Sequence, residues 1–185
     1  MNHLYPIYLK AEQLNLLIVG GKEVAEEKLV SVTANSPGAG ITVVARNFSK
    51  NVLRFKNVEF IQKEFEESDL FDKQLVIAAT RNRELNLYVS NLARKNNILV
   101  NAADMPELCD FYLSSVIQKG DLKIAFSTNG KSPILARRLK EFFNDVIPDD
   151  IDELIRNIHE IRKELKGSFK EKVEIMNEIT RDLKI

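Results

Sequence analysis

The feature that most restricts the fold is a short apolar run that ends in two glycines and leads directly into a helix-forming segment. Residues 14–19 are largely apolar and have the length of a buried strand. Gly20 and Gly21 end this run, and a helix is predicted over residues 23–34. Turn formers at residues 35–38 close the helix, and residues 41–45 form a strand rich in β-branched side chains. This succession predicts the first unit of a parallel α/β sheet.

The same alternation continues to about residue 112. Further strands are predicted at 58–61, 75–79 and 98–101, with a helix over 83–96. Strands that are apolar on both faces and alternate with helices indicate a Rossmann-like parallel sheet with helices on both faces over residues 1–112.

The pattern changes after residue 112. Two strand-like runs, 111–117 and 122–127, flank the turn at Lys119-Gly120-Asp121, and Ser132-Pro133 begins a helix that runs to about residue 146. We therefore predict a small α+β region over residues 113–147. Residues 148–185 form a C-terminal helical region, with helices over 149–166 and 168–183.

Composition narrows the classes of function. The 185 residues contain 27 Lys plus Arg and 27 Asp plus Glu, so no net field favours nucleic acid or a membrane surface. No signal peptide and no membrane-spanning run of about 20 apolar residues is visible, and the expected location is cytoplasmic. The single cysteine, Cys109, is interpreted as a buried structural thiol in preference to a ligand or a nucleophile. It excludes a multi-thiolate zinc site, and His3 and His159 lack ligand spacing, so no protein-held metal is expected.

The turn after the first strand has the position of a dinucleotide site. A helix N-terminus facing a strand end offers free backbone N–H groups to a pyrophosphate. Against G-x-G-x-x-G/A, Gly20 and Ala25 fill the first and last positions, but Lys22 replaces the middle glycine. Lys22 either keeps the phosphates away or pairs with them, and a tight turn without ligand is the third interpretation. The predicted cofactor-binding residues are Gly20, Gly21, Lys22, Glu23, Val24, Ala45, Arg46 and Thr80.

The end of the second strand leaves the choice of cofactor open. An acidic residue commonly follows this strand and binds the ribose hydroxyls, but here Ala45 is followed by Arg46 and Asn47. An arginine at this position can favour a 2′-phosphate and so NADP over NAD. A solvated surface arginine is an equally good interpretation.

Four sequence blocks occur in order and resemble one known family. They are residues 19–28 (VGGKEVAEEK), 77–80 (IAAT), 100–104 (VNAAD) and 127–137 (STNGKSPILAR). Together they resemble the precorrin-2 dehydrogenase and sirohydrochlorin ferrochelatase module of siroheme synthase. The chain departs from the family pattern at Lys22 and by about two additional residues within 35–40.

The resemblance implies NAD-dependent oxidation of precorrin-2 to sirohydrochlorin and, in some members, insertion of Fe²⁺ to give siroheme. It also implies a homodimer that binds a tetrapyrrole, with residues 113–147 as its dimerisation region. Asp104 is the predicted catalytic base, since a dehydrogenation removes a proton as well as a hydride. The polar, cationic turn from Ser127 suits the carboxylates of a tetrapyrrole, although a dimer contact is an equal alternative. The predicted substrate-binding residues are Asn101, Ser127, Thr128, Asn129, Lys131 and Arg137.

Two other hypotheses remain open from the sequence. In the first, the chain is a nucleotide-sensing regulatory domain. In the second, it belongs to the family that the four blocks resemble, but Lys22 prevents NAD binding. In the second case the protein acts as a chelatase or a tetrapyrrole binder.

Overall fold

The computed structural model describes residues 2–181 and divides into two compact units, Met1–Leu113 and Ser114–Ile185. Within this described part of the chain, no helix combines the length and the apolar character that a membrane span requires.

A five-stranded parallel sheet forms the centre of the first unit. Its strands lie in the order β3-β2-β1-β4-β5, and every neighbouring pair is parallel. The chain adds β2 and β3 on one side of β1 and then crosses to add β4 and β5 on the other side. The carboxyl ends of β1 and β4 therefore lie at a switch point of the topology, where open α/β sheets bind ligands. The strands are β1 Asn15–Val19, β2 Gly40–Ala45, β3 Val58–Gln62, β4 Leu75–Ala78 and β5 Leu99–Ala102.

The two α-helices of the first unit cover opposite faces of the sheet. Alternate residues of β1 point to opposite faces, as in any strand. Leu16 and Ile18 are buried in the cluster that contains residues of helix α1 (Glu23–Asn35), and Leu17 and Val19 in the cluster that contains residues of helix α2 (Arg83–Lys95). The predicted Rossmann-like sheet with helices on both faces is confirmed.

Short 3₁₀ helices occupy the other connections of the first unit. Val52–Arg54 lies between β2 and β3, and Glu67–Leu70 between β3 and β4. Two more occur before β1 and after β5, at Ala11–Gln13 and Pro106–Leu108. Buried Val52 and Leu70 fill opposite faces of the sheet in place of further α-helices.

The second unit consists of a hairpin and three helices. Strands β6 (Ser115–Lys119) and β7 (Leu122–Phe126) pair antiparallel around Gly120, whose φ is +56°. The helices are α3 (Pro133–Val146), α4 (Ile151–Glu164) and α5 (Phe169–Thr180). A small core is built from buried Ile117, Ile147 and Ile151. The predicted α+β region followed by helices is confirmed.

One predicted strand begins later than expected. The apolar run at 111–117 predicted a strand from residue 111, but β6 starts at Ser115. Phe111 and Leu113 instead pack against the α1 face of the first unit, and the Phe111 carbonyl accepts a hydrogen bond from Asn101 Nδ2 at 2.8 Å. The last predicted helix, 168–183, is observed over Phe169–Thr180. Positions 182 and 183 of that prediction lie outside the described part of the chain.

Candidate functional site

An open cleft of about 470 Å³ lies at the carboxyl edge of the sheet in the first unit. Seven of the eight predicted cofactor residues line it: Gly20, Gly21, Lys22, Val24, Ala45, Arg46 and Thr80. The eighth, Glu23, is absent from the lining, and its carboxylate lies 3.4 Å from Arg81 Nη2. The structure thus brings predicted residues from three separate segments to one place.

Two glycines let the chain segments converge at the base of the cleft. Gly20 has φ +135°, and a Cβ there would collide with the Ala79 carbonyl at the end of β4. A Cβ on Gly21 would collide with the Asn47 carbonyl and lie 2.8 Å from Ala45 Cβ. The turn therefore needs glycine at both positions for close packing against β2 and β4.

The N-terminus of α1 lies at the cleft without a side-chain cap. Lys22 is the N-cap residue, and its side chain accepts no capping hydrogen bond. The first-turn N–H groups have no partner within the helix, so they remain available to an anion. Lys22 has extended backbone (φ −123°, ψ −154°), which any residue adopts. Lysine in place of the family's glycine therefore causes no backbone strain, and its exposed side chain borders the cleft.

The turn after β4 is held by a residue that the sequence did not single out. Asn86, 2% exposed, donates from Nδ2 to the Thr80 carbonyl at 3.0 Å. Its Oδ1 accepts from the Thr80 N–H at 3.2 Å and lies 2.6 Å from Thr80 Oγ1. Asn86 falls in the helical stripe with Val89, Ser90 and Ala93, all buried. A lone amide in such a stripe is the signal that would have identified it.

Asp104 lies just beyond β5, at the same edge of the sheet. Ala78 pairs with Ala102, so Thr80 and Asp104 each come two residues after that pair on neighbouring strands. Asp104 has φ +56° in the turn closed by the Met105 N–H and the Ala102 carbonyl, and its side chain is exposed. Among the residues that the structure describes, no hydrogen bond or ion pair engages its carboxylate. The group is thus accessible from solvent.

Cys109 and Asn101 fix the loop that carries Asp104. The Cys109 thiol donates to the Ala102 carbonyl and accepts from the Ala102 N–H, each at 3.3 Å. Burial raises the pKa of this thiol, and the carboxylates of Asp110 and Glu107 raise it further, so the neutral form is favoured. Asn101 is buried, and its amide nitrogen donates a hydrogen bond to the Phe111 carbonyl. Both side chains hold backbone in the observed structure.

The predicted substrate-binding turn lies in the second unit, between β7 and α3. Ser127 Oγ accepts from the Asn129 N–H at 3.2 Å, and Thr128 Oγ1 from the Ser132 N–H at 3.1 Å. Asn129 has φ +55°, and Ser132 caps α3 through the Leu135 N–H. Lys131 and Arg137 are exposed, and Arg137 Nε lies 3.8 Å from Glu141. The turn thus presents Lys131 beside the N-terminus of α3, and Arg137 lies about one turn into that helix.

No group of three or more His, Cys, Asp or Glu side chains suited to a metal occurs within residues 2–181.

The sheet order and the glycine-lined cleft define a dinucleotide-binding protein of the Rossmann class. A family model described as "Putative NAD(P)-binding" matches residues 7–115, and one described as "Sirohaem biosynthesis protein central" matches residues 119–144. The chain belongs to this "Putative NAD(P)-binding" family, whose model covers more than half of its residues. The family predicted from the four sequence blocks is confirmed, and the second match disfavours a nucleotide-sensing regulatory domain.

Curated relatives and a solved structure agree with this family. The chain is 35% identical over 172 residues to siroheme synthase of Vesicomyosocius okutanii, covering 91% of this chain and 36% of the relative. It is 36% identical over 169 residues to siroheme synthase of Methylococcus capsulatus, covering 90% and 35%. The chain thus spans about a third of the length of these relatives. The solved structure of SirC, a precorrin-2 dehydrogenase, matches with a TM-score of 0.76 and 26% identity, covering 95% of this chain and 89% of SirC.

Proposed function

We propose that this chain oxidises precorrin-2 to sirohydrochlorin with NAD, as a step of siroheme biosynthesis. The observation that carries the proposal is the match to the precorrin-2 dehydrogenase SirC, which extends over nearly all of both chains. The family match and the cleft in the first unit support NAD as the cofactor.

The residues of the cleft suit a dinucleotide. Gly20 and Gly21 keep side chains away from the turn, and the uncapped first turn of α1 offers N–H groups to the pyrophosphate. Lys22 adds a cation at the same place. Arg46 and Thr80 border the cleft at the ends of β2 and β4. When bound, NAD supplies the hydride acceptor.

Asp104 is the proposed base. Its carboxylate is exposed and follows β5, next to the strand that ends at the cleft. A positioned base removes the proton that must leave the tetrapyrrole together with the hydride. The backbone turn and the Cys109 thiol keep the loop in place. We assign Asp104 as a catalytic residue on these grounds.

The substrate's carboxylates are proposed to bind the second-unit turn. Lys131 and Arg137 supply positive charge, and Ser127, Thr128 and Asn129 supply polar groups before α3. Asn101 is proposed to act on substrate binding as a positioning residue, because its amide holds the Phe111 carbonyl.

Dimerisation and metal insertion complete the proposal. Helix α3 exposes apolar side chains at Ile134, Leu135, Phe142 and Val146, which supports a homodimer formed through residues 113–147. Fe²⁺ is proposed as a second substrate, coordinated mainly by the tetrapyrrole nitrogens.

The test is turnover of precorrin-2 by the purified chain with NAD, followed as NADH formation and as the absorbance change to sirohydrochlorin. We expect Asp104→Asn to lower kcat by about 100-fold or more, the usual contribution of a general base. Asparagine also tolerates φ +56°, so the variant should fold and bind NAD as the wild type does. Absence of NADH formation by the wild type would contradict the proposed activity, and an unchanged kcat in the variant would remove Asp104 from the mechanism.

The alternative in which Lys22 prevents NAD binding is separated by titration. Wild type and Lys22→Gly are titrated with NAD, and we expect both to bind because Lys22 causes no backbone strain. Binding by the glycine variant alone would favour a chelatase or tetrapyrrole binder instead.

A further inference from the structure

The end of β2 presents a cation to the cleft where dinucleotide sites commonly present a carboxylate. Arg46 follows Ala45 directly and lines the cleft. An unpaired arginine here would attract the 2′-phosphate of NADP, because guanidinium binds phosphate well. What Arg46 contacts therefore decides its effect on the cofactor.

Strand pairing places a carboxylate beside Arg46. Ala45 pairs with Gln62 in the parallel β2–β3 register, and the Lys63 N–H donates to the Ala45 carbonyl at 3.1 Å. Glu64 therefore lies next to Arg46, and Arg46 Nη2 is 2.9 Å from Glu64 Oε1. Both side chains line the cleft. The acidic group that β2 lacks is supplied by the segment after β3.

The pair contributes little to folding and more once a ligand covers it. The two side chains are 72% and 69% exposed, so in the free protein water screens their attraction. A nucleotide lying over the cleft would exclude part of that water and strengthen the interactions of both charges.

Lys63, a second cation in the cleft lining, also has carboxylate partners. Lys63 Nζ lies 2.9 Å from a carboxylate oxygen of Glu66 and 2.9 Å from one of Asp69. These carboxylates, Asp69 first, raise the pKa of the Lys63 ammonium and keep it paired. Each of these two lining cations therefore has carboxylate partners, Glu64 within the cleft lining and Glu66 and Asp69 outside it, which disfavours an additional phosphate.

We propose that Glu64 sets the preference of the cleft for NAD over NADP, by neutralising Arg46 and by offering a carboxylate to the ribose hydroxyls. This inference rests on the proposed function, in which the cleft binds a dinucleotide. It assigns a specificity residue after β3, outside the position where an acid is ordinarily expected.

The test measures NADH and NADPH dissociation constants for the full chain by calorimetry. We expect the wild type to bind NADH more tightly than NADPH. Glu64→Gln keeps the size of the side chain but frees Arg46, and should lower the ratio of the NADPH to the NADH dissociation constant at least tenfold. In the double variant Glu64→Gln/Arg46→Gln, this ratio should return most of the way to its wild-type value. Glu67→Gln is the matched control, because Glu67 is a nearby exposed carboxylate outside the cleft lining and should leave the ratio unchanged.

The outcomes separate this inference from the function beneath it. If the wild type binds neither nucleotide, the dinucleotide function fails and the inference with it. If the wild type binds NADH but Glu64→Gln leaves the ratio within twofold, only the role of Glu64 is overturned. An equal shift in Glu67→Gln would also overturn it, since the effect would then be one of general charge.

Discussion

Gly20 combines two constraints at one residue. Its φ of +135° is a conformation that side chains rarely adopt, and the space where its Cβ would stand is filled by the Ala79 carbonyl. The backbone of the turn is therefore determined by contact with β4 as well as by local preference. Lys22, two residues later, has ordinary extended backbone and no such requirement.

Gly20→Ala is expected to destabilise the protein by at least about 2 kcal/mol, because strained backbone and a backbone collision add. It should also weaken NAD binding, since the turn moves away from β4. Urea unfolding and NAD titration measure the two effects. Gly40→Ala is the control: a Cβ there would have its nearest neighbour at 3.5 Å, an ordinary contact. Equal stability of the two variants would contradict the constraint at Gly20.

Helix α2 does more than cover one face of the sheet. Its N-cap, Asn82, accepts from the Leu85 N–H, and one turn later Asn86 satisfies the N–H and the carbonyl of Thr80. The helix thereby fixes the backbone that follows β4 and lines the cleft. A buried amide is tolerated there because its polar groups are paired.

Asn86→Ala is expected to cost about 1–3 kcal/mol, because it leaves backbone groups of Thr80 without partners. Ser90→Ala serves as the control on the same buried stripe: the Ser90 hydroxyl donates only to the Asn86 carbonyl of its own helix, at 2.7 Å. Ser90→Ala should lower the free energy of unfolding by clearly less than Asn86→Ala does. Denaturant unfolding gives both values, and NAD affinity should fall only for Asn86→Ala. Equal losses would show that Asn86 acts through burial alone.

At the scale of the whole molecule, all residues that line the cleft belong to the first unit, and the cationic turn from Ser127 belongs to the second. Each unit also has a core of its own. Cofactor binding is therefore expected to stabilise one unit in particular.

NAD at about 100 times its dissociation constant should stabilise the binding unit by about 2.7 kcal/mol. Hydrogen exchange should accordingly slow in β1, β2, β4 and α1, and change little in α4 and α5. Gly20→Ala, in which we expect weaker NAD binding, is the control and should show little protection. Uniform protection of both units would contradict a cofactor site confined to the first.

The strand and helix alternation, the parallel sheet with two covered faces and seven residues that line the cleft were predictable from the amino-acid sequence. These follow from local signals: apolar runs of strand length, turn glycines, and strand ends that meet at one edge. Four ordered blocks also identified the family.

Contacts between residues far apart in sequence were not predictable in this way, because they depend on strand register and helix packing. The pairing of Arg46 with Glu64 depends on the β2–β3 register, and the contact of Asn86 with Thr80 depends on how α2 packs. The late start of β6 has the same origin, because Phe111 is drawn into the first unit's core. Arg46 illustrates why: the effect of an arginine on a bound cofactor depends on the charges around it. The carboxylate that pairs with Arg46 belongs to Glu64, 18 residues away in sequence, so local sequence does not reveal it.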